Sequence, residues 1–274
     1  MIEEQSPLVS PPRVNVLGVG ISVLNLGSLL RQLEAAVTKP GLVDYVTVTG
    51  VHGVIESLGD SELKKIHNQS FLSTPDGMPM VWLGRQAGYQ EMDRVYGPDV
   101  LLDVAKHSAR NSNRRHFFYG GSEGVALELT DRLRSRFPGL QTVGTFCPPF
   151  RKLTEDEEEK LVAHLQATRP HYLWVGLSTP KQERFMHDFV RRYPDLTSDW
   201  GHGMVLLGVG AAFDFHTGRV RQAPVWVQRS GFEWLYRMMM EPRRLFKRYF
   251  KNNFTFLGHL FAKKAGWQDY PMSR

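Results

Sequence analysis

Cysteine is almost absent from this sequence of 274 residues, in which Cys147 is the single example. One thiol excludes an internal disulfide framework and a four-thiolate metal site, and it is typical of a reducing compartment. The sequence also lacks any run of about 18 consecutive apolar residues, which a membrane-spanning helix requires. The first residues are acidic and contain no apolar signal core, so the sequence predicts no secretory signal.

The motifs of several enzyme classes are missing as well. The ten histidines show no paired metal-ligand spacing, and no HExxH, CxxC or DxD motif occurs. A serine-hydrolase GxSxG elbow is absent, and no GxGxxG dinucleotide fingerprint follows the first predicted strand. The sequence therefore predicts a protein without a bound metal or cofactor.

Charge is distributed unevenly along the chain, whose net charge is +6. Residues 219–274 contain 12 Lys and Arg against three Asp and Glu, a balance of +9, so the preceding residues have a balance of −3. Between residues 226 and 248, aromatic residues and methionines are interleaved with Arg and Lys. We interpret residues 221–274 as a basic, amphipathic helical appendage that contacts an anionic membrane surface. Apolar positions exposed on this appendage could also pair subunits.

The rest of the sequence has the composition and pattern of an α/β protein. Hydrophobic residues make up 42% of the chain, enough for a large core. Short apolar segments alternate with helical ones over residues 14–220, including a strand at 14–19 and one helix over 54–71, and the alternation is regular from residue 115. This pattern predicts an α/β catalytic domain with a parallel sheet, helices on both faces and a Rossmann-like second half. Residues 1–13 are predicted to be a flexible leader.

Two turns that follow predicted strands are candidate phosphate sites. The first contains Gly120, Gly121 and Ser122, and the second runs from residue 176 to 183 and contains Ser178, Lys181 and Gln182. Ligands bind at the carboxyl ends of parallel strands, where the next helix offers free backbone N–H groups to a phosphate. A structural explanation also exists for each turn, since glycine permits tight turns and Ser178 can cap a helix. Together the turns favour a phosphate-bearing ligand.

Two carboxylates and one hydroxyl follow other predicted strands. Asp76 lies between Pro75 and Gly77, in a rigid turn that suits a general base, although Asp-Gly is also a common structural turn. Thr49 ends a neighbouring strand and could point its hydroxyl into the same cleft. Asp214 follows an apolar strand, where it could bind ligand hydroxyls or cap the next turn.

Eight segments carry a resemblance to a known family. They are Val48–Val54, Thr74–Leu83, Arg94–Asp99, Phe118–Ala126, Trp174–Glu183, Gly208–Gly218, Ala223–Arg237 and Glu241–Arg244. In this order they resemble the WecG/TagA/CpsF family of bacterial glycosyltransferases, and the resemblance covers residues 14 to about 250. It implies transfer of a hexosyl unit from a UDP-sugar to a lipid-linked sugar, typically on a polyprenyl diphosphate carrier, in cell-surface polysaccharide synthesis. It also implies inverting, metal-independent chemistry by a cytoplasmic enzyme that is peripherally associated with the inner face of the membrane.

The resemblance assigns roles to individual residues. Asp76 matches the general base, with Thr49 and Arg94 beside it. Gln182 matches a residue of the nucleotide-sugar site. The appendage supplies Arg237 and Arg244.

One position departs from the family pattern. Many members have Thr-Pro-Asn after the second strand, where this sequence has Thr49, Gly50, Val51 and His52. His52 is the candidate substitute for the asparagine.

Without a metal, the charge of a departing diphosphate must be balanced by helix N-termini and arginines. We hypothesise that the two turns supply backbone donors and that Arg237 and Arg244 clamp the diphosphate. Because both arginines belong to the basic tail, membrane docking and completion of the site would be one event. A chain that ends near Val220 is then expected to lose activity.

Two alternative functions share part of this pattern. A Rossmann-type oxidoreductase would have the same β/α alternation, but the dinucleotide fingerprint is absent. A nucleic-acid-binding module could use the basic, aromatic tail, but it would have no use for the two glycine-containing turns.

Overall fold

The computed structural model describes residues 10–112 and 114–272, without the side chains of residues 111, 112, 244, 247 and 248. These residues pack as two compact units. Unit 1 comprises residues 27–46 and 97–220, and unit 2 comprises residues 10–26, 47–96 and 221 onward. Most of the predicted leader, residues 1–9, lies outside the described residues. The predicted domain boundaries stay a prediction; in the structure residues 221–272 are part of unit 2.

The described residues form eight strands and twelve α-helices. The strands are β1 (Arg13–Val16), β2 (Val19–Ser22), β3 (Val43–Thr49), β4 (Leu72–Pro75), β5 (Arg115–Gly120), β6 (Gln141–Phe146), β7 (Tyr172–Gly176) and β8 (Met204–Gly208). The helices are α1 (Leu26–Val37), α2 (Val51–Gly59), α3 (Ser61–Gln69), α4 (Met78–Gln86), α5 (Gly97–His107), α6 (Val125–Arg136), α7 (Glu155–Thr168), α8 (Lys181–Arg192), α9 (Ala212–His216), α10 (Val225–Arg229), α11 (Glu233–Met240) and α12 (Pro242–Lys264).

Six of the strands form a parallel sheet flanked by helices, in the order β4-β3-β8-β7-β5-β6. This confirms the predicted α/β class. In unit 1, β5 pairs in parallel with both β6 and β7, and β7 pairs in parallel with β8. The central strands are mostly apolar because they are buried on both faces, and their largest buried side chains are Phe117, Phe118, Tyr172 and Trp174.

The two remaining strands differ from the prediction of a single strand at residues 14–19. β1 and β2 form an antiparallel hairpin, in which Val16 faces Val19. The two loop residues, Leu17 and Gly18, have φ values of 51° and 89°. Positive φ at both positions is the requirement of the tight hairpin turn that matches strand twist. The prediction missed this turn because leucine rarely adopts such a φ.

The predicted single helix over residues 54–71 is also two helices in the structure. Asp60 separates α2 from α3, and its side chain accepts a hydrogen bond from the Leu63 N–H at 2.9 Å. A side-chain cap of this kind starts a new helix. Another side-chain cap stands at the start of α7, where Thr154 and Glu157 form a complete capping box.

Unit 2 has a core of its own to which the C-terminal helices contribute. Apolar residues from β1, β2, α2 and α4 pack together with Phe256 of α12 and with Tyr270. Both of these C-terminal side chains are buried. The C-terminal segment is therefore a structural part of unit 2.

Candidate functional site

Asp76 stands at the carboxyl end of β4, fixed by backbone contacts in unit 2. Its N–H donates to the carbonyl oxygen of Thr49 at 3.1 Å, and the N–H of Val95 donates to the carbonyl oxygen of Pro75 at 2.9 Å. A Cβ atom at Gly50 would lie 2.9 Å from the Asp76 carbonyl oxygen and 3.4 Å from Oδ2. The end of β3 therefore packs directly against Asp76, and this packing leaves no room for a side chain at position 50.

The Thr49 side chain is fully buried in unit 2, so its hydroxyl does not have the orientation into a cleft that the sequence allowed. Its hydroxyl donates to Thr47 Oγ1 at 3.1 Å, accepts from the Ser73 hydroxyl at 2.9 Å, and lies 3.1 Å from His67 Nδ1. Thr47 and Thr49 share this buried face because side chains alternate along a strand. The Thr49 carbonyl holds Asp76, while a catalytic role for the hydroxyl stays a prediction.

His67 is fully buried together with these hydroxyl groups. Burial, together with the positive charge of Arg13, lowers the pKa of His67 to about 4. Arg13 also donates to the backbone carbonyls of Asn68 and Phe71, each at 3.1 Å. A neutral His67 therefore contacts the Thr49 hydroxyl in the interior of unit 2.

We expect this histidine to make unit 2 sensitive to acid. An unfolded histidine takes up its proton near pH 6.5, whereas folded His67 does so near pH 4. Between these values the unfolded chain binds the extra proton, so the unfolding free energy falls with falling pH by up to about 1.4 kcal/mol per pH unit from this group. Urea titrations from pH 7.5 to 4.5 should show a shallower pH slope for His67→Asn than for the wild type. The exposed His164, changed in the same way, is the control, and equal slopes for wild type and His67→Asn would contradict the expectation.

Arg94 binds residues of the C-terminal segment. Its Nη1 donates to Gln228 Oε1 at 2.6 Å, and its Nη2 pairs with Glu233 Oε2 at 2.5 Å. The guanidinium carbon lies 3.9 Å from the centre of the Tyr96 ring. The side chains of Arg94 and Glu233 are only 8% and 16% exposed, so this ion pair is largely shielded from water.

The carboxylates of Glu233 and Asp76 shift the pKa values of both Tyr96 and Arg237. Burial raises the pKa of Tyr96 well above its usual value, and the carboxylates of Glu233 and Asp76 raise it further, against the opposing charge of Arg237. Burial alone would lower the pKa of Arg237, but Tyr249, Tyr96, Glu233 and Asp76 raise it above its usual value. We call Asp76, Arg94, Tyr96, Glu233 and Arg237 the charged cluster. It brings together three residues that the sequence resemblance assigns to the site.

Two other predicted residues of unit 2 lie on helices. Nδ1 of His52, on α2, is 2.8 Å from the Asn252 side-chain nitrogen on α12 and 3.7 Å from Glu56 Oε1. His52 therefore contacts the C-terminal helix. The backbone of Arg244 belongs to α12, and its side chain lies outside the described residues.

In unit 1, the first glycine turn has a structural explanation. Gly120 and Gly121 have φ values of 115° and 74°, and the Gly121 N–H donates to the Gly176 carbonyl oxygen at 3.0 Å. A Cβ atom at Gly120 would lie 2.6 Å from that oxygen, so only glycine fits where the ends of β5 and β7 meet. Ser122 is exposed and accepts a backbone hydrogen bond from Val125. Phosphate binding by this turn stays a prediction.

The second turn of unit 1 is closed by a buried side-chain pair. Gln182 Oε1 accepts from the Gly210 N–H at 3.1 Å, and its Nε2 donates to Glu183 Oε1 at 3.0 Å. The Thr179 hydroxyl donates to the same Glu183 oxygen at 2.9 Å, and burial raises the pKa of Glu183. Gln182 thus ties the start of α8 to the loop after β8.

The other predicted binding residues of unit 1 stand near these loops. Ser178 and Lys181 are exposed. Asp214 lies on α9, where its carbonyl oxygen accepts backbone hydrogen bonds from Arg219 and Val220 at 2.9 and 3.2 Å. Ligand binding by these three residues stays a prediction.

Sequence reasoning missed Tyr96, Gln228 and Glu233. Tyr96 lies inside the segment Arg94–Asp99, which carries the family resemblance. Glu233 is one of three acidic residues in a C-terminal tail that has 12 basic residues. An acidic residue in so basic a segment indicates an ion pair within the protein.

Within residues 10–112 and 114–272, no group of three or more His, Cys, Asp or Glu side chains is arranged to hold a metal ion. Among the helices of these same residues, none combines the length and the apolar content that crossing a membrane would need.

Residues 14–269 match the family described as Glycosyl transferase WecG/TagA/CpsF family. The chain belongs to this family. Among curated proteins it is similar to the N-acetylglucosaminyldiphosphoundecaprenol N-acetyl-beta-D-mannosaminyltransferase of Bacillus spizizenii (strain ATCC 23059 / NRRL B-14472 / W23), with 24% identity over 219 residues, 80% of each chain. The enzyme of the same name from Bacillus subtilis (strain 168) is 23% identical over 220 residues, again 80% of each chain. Membership confirms the family resemblance and places the charged cluster in a glycosyltransferase.

Proposed function

We propose that this protein transfers a hexosyl unit from a UDP-sugar to a sugar on a polyprenyl diphosphate, in cell-surface polysaccharide synthesis. Family membership supports the reaction class. The names of both relatives describe transfer of a mannosaminyl unit to an N-acetylglucosaminyl diphosphoundecaprenol. These names support a lipid-linked aminosugar as the acceptor.

The observation that carries this proposal is the charged cluster, in which Asp76 and Arg237 share one electrostatic environment. Asp76 is held by its backbone at the end of a strand, as a general base must be held. In the proposed step, Asp76 takes the proton of the acceptor hydroxyl while the hydroxyl oxygen attacks the anomeric carbon. The bond from that carbon to the UDP oxygen breaks, and UDP leaves with the electron pair.

Charge on the departing diphosphate requires cationic or N–H partners. Arg237 suits this role because its surroundings keep it protonated and because a guanidinium binds phosphate oxygens in pairs. We include Arg244 in the same proposal. No cofactor enters this step, and Asp214, Lys181 and Ser122 are assigned to donor binding.

The stereochemical outcome follows from a single displacement. Attack from the face opposite the leaving group inverts the anomeric carbon, so an α-linked UDP-sugar gives a β-linked product. The names of both relatives specify a β-linked mannosaminyl unit.

We propose a peripheral position on the inner face of the cell membrane, through the exposed apolar side of α12. Five side chains at intervals of three or four residues are each more than half exposed: Phe246, Phe250, Phe254, Leu257 and Phe261. This spacing places them along one side of the helix. Exposed Arg243, Lys251 and Lys264 stand on the same helix and would attract anionic lipid.

The double variant Phe250→Ser/Phe254→Ser is expected to lose most of its binding to vesicles of anionic phospholipid, because it removes two of five apolar anchors. Co-sedimentation with the vesicles measures this loss. Phe150→Ser is the matched control, since Phe150 is 93% exposed in unit 1. Equal binding by the wild type and the double variant would exclude this side of α12 as the membrane contact.

The proposed activity is tested by supplying a panel of UDP-sugars with a short-chain prenyl diphosphate N-acetylglucosamine. We expect UDP release and a new disaccharide-lipid with one of the donors, at a rate unchanged by EDTA. A protein that releases no UDP with any hexosyl donor in the presence of this acceptor would contradict the proposal.

A further inference from the structure

Glu233 is an acidic member of the charged cluster for which the proposed reaction has no task. It lies at the first position of α11, in the basic C-terminal segment. Its carboxylate is nonetheless mostly buried and pairs with Arg94 at 2.5 Å. Burial of an acid in this way is costly unless the partner is fixed in place, so the arrangement calls for a reason.

We propose that Glu233 is a positioning residue that holds Arg237 in place within the charged cluster. Glu233 and Arg237 are four residues apart on α11 and therefore lie on the same side of the helix. Anchoring Glu233 to Arg94 fixes the rotation of α11 about its axis. It thereby also fixes the direction in which Arg237 points.

Arg94, to which Glu233 is anchored, is held by three partners. Arg94 meets a carboxylate at Glu233, an amide oxygen at Gln228 and the ring of Tyr96. Gln228 in turn donates from Nε2 to the Ala223 carbonyl oxygen at 2.7 Å, so it links Arg94 to the segment that precedes α10. A planar guanidinium can serve these three partners at once, which a lysine cannot do.

Tyr96 connects the anchor with the reacting groups. Its ring stacks on the Arg94 guanidinium, and its pKa is raised by Glu233 and Asp76 and lowered by Arg237. Loss of the Glu233 charge would therefore disturb both the ion pair with Arg94 and the electrostatic environment of Tyr96. On this account Arg94 acts through Glu233 on the C-terminal segment, instead of contacting the substrates.

The kinetic part of this inference rests on the proposed function, and a double-mutant cycle tests it. Four proteins are compared for transfer: wild type, Glu233→Gln, Arg237→Ala and the double variant. Glu233→Gln is expected to lower kcat about tenfold, with a smaller change in the donor KM. The double variant should match Arg237→Ala within about twofold, because a residue that acts through Arg237 has nothing left to position. Losses that multiply in the double variant would overturn the proposal.

Hydrogen exchange tests the anchor independently of any transfer activity. Amides of residues 233–240 are expected to exchange faster in Glu233→Gln than in the wild type. Glu91→Gln removes an exposed acid of the same unit and should leave these amides unchanged. Unchanged exchange in Glu233→Gln would refute the anchor even if transfer is confirmed. Faster exchange in a protein that transfers no sugar would leave the anchor standing and refute the function.

A conservative variant keeps the test usable if Glu233→Gln folds poorly. Glu233→Asp retains the charge but is one methylene shorter, so it is expected to give intermediate exchange and intermediate kcat. Wild-type values for Glu233→Asp together with full loss in Glu233→Gln would also support a role for the charge. Wild-type exchange and kcat in both variants would overturn it.

Discussion

Asp76→Asn is expected to reduce the rate of sugar transfer by about a hundredfold or more while UDP-sugar binding stays close to the wild-type value. General-base catalysis is worth about this factor, and an asparagine cannot accept the proton. The substitution keeps the size of the side chain. It also leaves intact the backbone hydrogen bond from residue 76 to Thr49 and the packing against Gly50.

Steady-state transfer and calorimetric donor binding on the same preparation measure the two quantities separately. Asp93→Asn is the matched control, because Asp93 is an exposed acid of the same unit that pairs with Arg85 at 3.5 Å. The control should retain full turnover. Near-normal turnover in Asp76→Asn would remove Asp76 from the role of base.

Arg237→Ala is expected to lower kcat by about a hundredfold, the loss typical of removing one preorganised donor from a developing negative charge. Its neighbours Glu233 and Asp76 help to keep the pKa of Arg237 above its usual value, so the group is cationic at any working pH. Arg237→Lys should recover part of the rate, because it restores the charge without the paired N–H donors.

Arg229→Ala provides the control from the same segment. Arg229 is exposed on α10, and its loss changes the net charge by the same amount. With a water-soluble acceptor and no vesicles, this variant should transfer at the wild-type rate. Equal losses in Arg229→Ala and Arg237→Ala would show that only the overall positive charge matters.

Truncation near Val220 is a poor test of the C-terminal arginines, because it also removes part of the core of unit 2. Phe256 and Tyr270 are buried in the core of unit 2 together with β1 and β2. Removing them would expose that core, since deletion of a large buried side chain costs about 3–5 kcal/mol even alone. Loss of activity in such a chain would therefore report on folding as well as on the arginines.

Most of unit 1 was predictable from the sequence, and the reason is physical. Strands such as β7 and β8 are buried on both faces, so they read as short apolar runs between helical segments. The capping box at Thr154 marks the start of α7 in the same way. Unit 2 was harder, because its hairpin depends on a leucine with positive φ and its first long helical stretch is divided by Asp60.

The candidate site was predictable only in part. Family motifs pointed to Asp76, Arg94 and Arg237, which the structure groups in the charged cluster. Glu233 escaped because its partner Arg94 is 139 positions away, and no local periodicity encodes such a contact. The orientation of the Thr49 hydroxyl was not predictable from the sequence, because which face of a strand is buried depends on what packs against it.

The most direct test of Asp76 as a base in a single displacement is the anomeric configuration of the product. The wild-type protein is incubated with an α-linked UDP-sugar that it accepts and a short-chain lipid diphosphate acceptor, and the coupling at the new anomeric proton and carbon is read by NMR. A β-linked product is the predicted result. An α-linked product would contradict the account, because retention requires a different mechanism from attack by a hydroxyl that Asp76 deprotonates.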